Sequence, residues 1–68
     1  EHPAVRLTDE GAERIARGAV VFPRMAQGMP ETAGALCRVY HGARFLMLGQ
    51  VRTLDKGGLG LFVYKNFG

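Results

Sequence analysis

Three apolar runs separated by two short turns fill the second half of this chain and fix what it can become. Residues 35–40, 45–51 and 59–65 are rich in leucine, β-branched and aromatic side chains. His41-Gly42 lies between the first two, and Asp55-Lys56-Gly57-Gly58 between the last two. Such runs bounded by glycine-bearing turns read as consecutive strands. Alternation puts Leu36, Arg38 and Tyr40 on one face of the first strand and Cys37 and Val39 on the other. In the second, Phe45, Met47, Gly49 and Val51 oppose Leu46 and Leu48. In the third, Leu59, Leu61 and Val63 oppose Phe62 and Tyr64. All six faces carry apolar groups, so the sheet must be covered by a helix or curled towards a barrel.

The first half supplies the cover. Residues 4–7 form a short strand, and Thr8 is placed to cap the helix that follows, its hydroxyl accepting from a free first-turn amide. Asp9, Glu10 and Glu13 put negative charge at the positive end of the helix dipole. Ala12, Ile15 and Ala16 make a narrow apolar face. Gly18 stands at the left-handed position that ends such helices, so the helix is expected over about residues 9–17. Residues 19–22 read as a strand stopped by Pro23. Residues 24–32 read as an irregular connection, with Met25 and Met29 filling gaps against the body. The expected fold is α+β, mostly β, with a single domain over residues 1–68.

Composition excludes much chemistry. The 68 residues make a thin core, since a chain of this size hides only ~60% of its unfolded surface. No apolar run approaches the ~20 residues of a membrane helix. The one cysteine, Cys37, forms no internal disulfide and reads as a small buried hydrophobe, which suits a reducing, cytoplasmic compartment. His2 and His41 show no metal-ligand spacing with it, so no metal and no cofactor are expected. The chain contains no serine, and its only clustered acids, Asp9, Glu10 and Glu13, are explained by the helix start, so the segment is not expected to be an enzyme on its own. It begins Glu1-His2-Pro3, which reads as a segment of a longer protein.

What remains is positive charge, unevenly spread. Residues 1–34 hold four Arg against five acids, net −1; residues 35–68 hold five Lys and Arg against Asp55, net +4; together these give +3. Such an excess favours a polyanion through counterion release. Arg14 and Arg17 stand three apart on the helix with Gly18 behind them. This corner reads either as a phosphate contact or as ordinary last-turn charge beside a C-cap.

The order of these residues carries a resemblance. The run Val5-Arg-Leu-Thr-Asp-Glu-Gly-Ala-Glu-Arg-Ile-Ala-Arg-Gly18 resembles the opening strand, helix and glycine turn of a PUA domain. Gly34-Ala-Leu-Cys-Arg-Val-Tyr40, Arg44-Phe-Leu-Met-Leu-Gly-Gln-Val51 and the closing Leu61-Phe-Val-Tyr-Lys-Asn-Phe67 are similar to later strands in the C-terminal domain of bacterial tRNA pseudouridine synthases of the TruB family. The chain departs from that family at Gln50, where an acid is frequent, and at Tyr64-Lys65, where Pro and Arg are frequent. The resemblance implies a pseudo-barrel of about five or six strands with one main helix. It implies an RNA-binding accessory domain that positions tRNA while a separate catalytic domain of the parent chain isomerises uridine. Carried over residue by residue, it points to Arg14, Arg17, Gly18 and Ala19 at the helix corner, with Lys65 and Asn66 from the last strand. The competing reading is a structural barrel that binds another protein through an apolar patch at Phe22, Met25 and Met29.

Overall fold

The computed structural model describes residues 2–66. Five strands and one α-helix are arranged as a single curled, half-barrel sheet with the helix against it. β1 is Ala4–Leu7, α1 Asp9–Ala16, β2 Ala26–Gln27, β3 Leu36–His41, β4 Arg44–Thr53 and β5 Leu59–Lys65, with a 3-10 turn at Pro23–Met25 ahead of β2. The sheet order is β2-β1-β3-β4-β5; β1 and β3 run parallel and every other neighbouring pair is antiparallel. This is a mostly-β α+β pseudo-barrel: the apolar runs imply its covered, curled sheet, and the five strands with one main helix match what the resemblance implies.

The helix forms where its capping signals place it. Thr8 Oγ1 accepts from the Gly11 amide at 3.1 Å. At the other end Gly18 takes φ +78°, its amide donates to the Ile15 carbonyl at 3.0 Å, and the Ala19 amide donates to the Arg14 carbonyl at 2.9 Å. These two bonds make a Schellman C-cap. The buried stripe is Gly11 and Ile15 with Ala12 half-buried beside them, while Ala16 is exposed. Gly11 thus takes the place expected of Ala16. The reason is close approach: a Cβ on Gly11 would lie 2.9 Å from the Met25 carbonyl oxygen.

The core lies between α1 and one face of the sheet. Val5, Leu7, Cys37, Val39, Met47, Val51 and Leu61 line that face, and Ile15, Val21 and Met25 cover it. Gly49 keeps the face closed, since a Cβ there would stand 2.9 Å from Val39 Cγ2. The β3–β4 hairpin turns at Gly42-Ala43, with Gly42 at φ +62° in the first central position of a type II′ turn. His41 therefore ends β3, and its Nε2 stands 2.7 Å from Asp9 Oδ1. The wider β4–β5 turn uses Gly57 and Gly58 at φ +91° and +80°.

Three expectations are corrected. Residues 19–22 form no strand; only Val21 pairs, with Leu61, because Pro23 turns the chain away after one rung. The 24–32 connection contains β2, whose Ala26 and Gln27 pair with Leu7 and Arg6. Phe45 does not share the core face with Met47. A register shift between Val39 and Tyr40 sets Tyr40 opposite Phe45, and the two rings meet edge to face at 5.6 Å. A bulge re-aims a side chain in this way by adding one residue to one strand.

Cys37 is fully buried and its thiol donates to the Gly49 carbonyl at 3.7 Å. Desolvation pushes the thiol up from the ordinary value, outweighing a smaller lowering by the Gly49 backbone. The folded chain therefore disfavours the thiolate. The stability this confers is complete below the ordinary thiol range and declines as pH rises through it. We expect iodoacetamide to leave the native chain unmodified in mildly alkaline buffer and to label Cys37 once denaturant unfolds it. Prompt labelling without denaturant, read by mass spectrometry, would contradict this burial.

Candidate nucleic-acid interface

Arg14, Arg17, Gly18 and Ala19 meet in the Schellman turn that ends α1. Their roles differ. Arg14 donates from Nε to the Val20 carbonyl at 2.9 Å and lies over the Phe22 ring at 5.2 Å from its centroid. This guanidinium pins residues 20–22 to the helix. Arg17 reaches solvent with 69% of its side chain exposed and pairs with Glu13 at 2.9 Å. An exposed i,i+4 pair is worth only about 0.3–0.5 kcal/mol, so a phosphate can displace the carboxylate. A Cβ built on Gly18 would meet nothing within 4 Å, so the turn is open to an approaching backbone. Of the α1 acids only Glu13 stands near this end; Asp9 and Glu10 lie in the first turn, with Glu10 held 3.4 Å from Arg24.

Lys65 and Asn66 lie elsewhere. Val21 pairs with Leu61, and Lys65 follows four residues further along β5, a rise of about 13 Å. A register shift between Leu48 and Gly49 sets Lys65 opposite Leu48. Gly49 and Met47 are buried on the core face, so Leu48 and Lys65 belong to the outer face, away from α1. The four helix-corner residues thus stand apart from Lys65 on the outer sheet face, and Asn66 follows Lys65 just beyond β5. Phe67, which closes the likeness in the last strand, lies outside the described residues.

The outer face is where the strands collect positive charge. Arg6 stands between buried Val5 and Leu7, and Arg38 between buried Cys37 and Val39, so both project outward. Arg38 donates from Nε to the His2 carbonyl at 2.9 Å and from Nη1 to the Tyr40 hydroxyl at 3.3 Å, with its guanidinium over the Tyr40 ring at 5.8 Å. Across the sheet, Arg52 lies over the Phe62 ring at 5.2 Å. None of the five strands contains an Asp or Glu. The acids of the described residues lie in α1, at Glu31 in the connection to β3, and at Asp55 in the β4–β5 turn, on the rim beside Arg52 and Phe62. Alternation in β3 shows Arg38 and Tyr40 together in the sequence. The bulges and the β1–β3 pairing that bring Arg6, Phe45 and Lys65 to them do not show there.

Of the apolar patch in the competing reading, Phe22 and Met29 keep part of their surface in solvent, and Met29 lines a depression with Pro23, Ala26, Pro30 and Leu59. Met25 is buried, and Phe22 and Met29 pack half-buried onto the core. Among the described residues no helix is long and apolar enough to cross a membrane. Comparison with protein-family models, with curated proteins and with solved structures found no match.

Proposed function

We propose that this chain is an RNA-binding accessory domain that positions tRNA for a separate catalytic domain performing uridine-to-pseudouridine isomerisation in the cytoplasm. The observation that carries the RNA-binding part is charge segregation. The outer sheet face presents Arg6, Arg38, Arg52 and Lys65 with no carboxylate in any strand, while the helix side holds Asp9, Glu10 and Glu13. The tRNA and synthase parts rest on the PUA-like order of strand, helix and glycine turn. Arg17 and the open Gly18 turn supply a second, smaller contact to the RNA backbone, with Ala19 beside them. Arginine suits both places, because its planar fork takes two phosphate oxygens at once.

The test is a titration of the chain with tRNA at two salt concentrations. With about four phosphates neutralised, raising salt from about 50 to about 200 mM lowers affinity roughly 100-fold. Arg17→Ala and Lys65→Ala each weaken binding by a similar factor across tRNA sequences and flatten the salt dependence by about one phosphate. Salt-insensitive or undetectable binding to tRNA rejects the reading.

A further inference from the structure

The outer face is more than a basic surface, because its cations and rings are paired. Arg38 lies over Tyr40 and Arg52 over Phe62, with Phe45 edge-on to Tyr40. The two ring stations sit two strands apart and about four residues apart along the sheet, roughly 16 Å on the diagonal. Between them the register sets Arg38, Leu48 and Lys65 in one row and Leu36, Gln50 and Phe62 in the next. Arg6, Arg38 and Tyr40 also line a depression of about 350 Å³ with Ala4, Gly42 and Ala43. Arg38 spends two of its five N–H donors on His2 and Tyr40, which leaves three for a ligand.

We propose that this face binds unpaired RNA: bases stack at the Tyr40–Phe45 and Phe62 stations, and the intervening phosphates are met by Arg6, Arg38, Arg52 and Lys65. The inference rests on the RNA-binding reading and adds the class of RNA and the surface. Rings on a sheet reach the face of a base only when the base is splayed from its helix, so paired RNA is excluded from these stations. The charge argues for nucleic acid over a protein partner. Among the described residues the strands of this face carry four cations and no carboxylate, with Asp55 at the rim beside Arg52. The half-buried Tyr40 and Phe62 rings, each under a guanidinium, form arginine–aromatic platforms that stack bases of any identity. A span of this size takes about two or three bases, the number stacked on four-stranded RNA-binding sheets. The stacked guanidiniums hold the rings and the cations in a fixed relation before the ligand arrives, which lowers the ordering cost of binding.

The experiment compares three labelled RNAs by fluorescence anisotropy: a uridine decamer, a fully paired duplex of the same length, and intact tRNA. The decamer binds more tightly than the duplex. Phe62→Ala weakens the decamer about tenfold, in line with the loss of one stacked base. Arg52→Glu, at an exposed position that leaves the core untouched, weakens it at least as much. Arg24→Glu makes the same change in net charge on the helix side and leaves decamer affinity within about twofold, so a general charge effect is separated from a site. If the duplex binds as well as the decamer, or if Arg52→Glu has no more effect than Arg24→Glu, the stacking face is wrong. In that case tRNA binding tells the two readings apart. Retained binding leaves the accessory-domain reading standing and makes the sheet face a protein-packing surface, whereas its loss removes both.

Discussion

Leu61→Ala unfolds a large fraction of this protein at physiological temperature. Leu61 is fully buried, pairs with Val51 across β4, and bridges Val21 through two bonds, Val21 N to Leu61 O at 2.9 Å and Leu61 N to Val21 O at 2.8 Å. Its side chain also occupies the space above Gly49, where a Cβ on that glycine would stand 3.0 Å from Leu61 Cδ1. Truncating a buried leucine costs about 2–5 kcal/mol, because a cavity is left along with the lost apolar burial. A domain of this length has only about 3–10 kcal/mol in total. The midpoint of thermal unfolding falls by about 8–40 °C on this account. Circular dichroism on heating reads the shift directly. A loss below about 5 °C would mean that the seam between Val21 and β5 is not part of the cooperative core.

Gly11→Ala is the second large effect, and its sign runs against helix propensity. In an exposed helix interior, alanine for glycine gains about 1 kcal/mol. At Gly11 the added methyl meets the Met25 carbonyl oxygen at 2.9 Å, Met25 Cβ at 3.1 Å and Leu7 Cβ at 3.4 Å. None of these can swing aside as a flexible side-chain tip does. The Met25 carbonyl is also fixed, since it accepts the Thr8 amide at 2.8 Å. Overpacking of this kind costs about 1–3 kcal/mol, so the net change is destabilising, and Gly11→Val is worse. Chemical denaturation measures it. Stabilisation by alanine would show that α1 sits further from the sheet than these contacts indicate.

How much of this is legible in the chain depends on how far apart the deciding residues stand. The helix is legible because Thr8 and Gly18 act on their own neighbours, through bonds closed within one turn. The strands from Leu36 onward are legible because alternation and glycine turns are local. Strand β2 is not, because Ala26 and Gln27 become a strand only through Leu7 and Arg6, some twenty residues upstream. Phe45 misleads for a related reason. One added residue in β4 inverts the face of everything before it, and no periodicity marks where it falls. The site divides along the same line. Arg14 and Arg17 are visible as a pair, but Arg14 is spent on Val20 and Phe22, a use that depends on where the chain goes after Gly18. The outer-face group needs three strand pairings to assemble, and of it the chain displays only Arg38 beside Tyr40.

The parallel pairing of β1 with β3 has a consequence for how the protein is made. Residues 8–35 separate the two strands, while β3, β4 and β5 are linked by tight turns. Hairpins close in microseconds, but a distant parallel pair must first bear the entropy of its long loop. The meander therefore organises first and offers the ledge on which the opening segment settles. On a ribosome that segment emerges ahead of the meander and waits some seconds for its template, with Val5, Leu7 and Ile15 bare throughout. The growing chain is most vulnerable to chaperone capture or mispairing during that interval, before its final strand has left the tunnel.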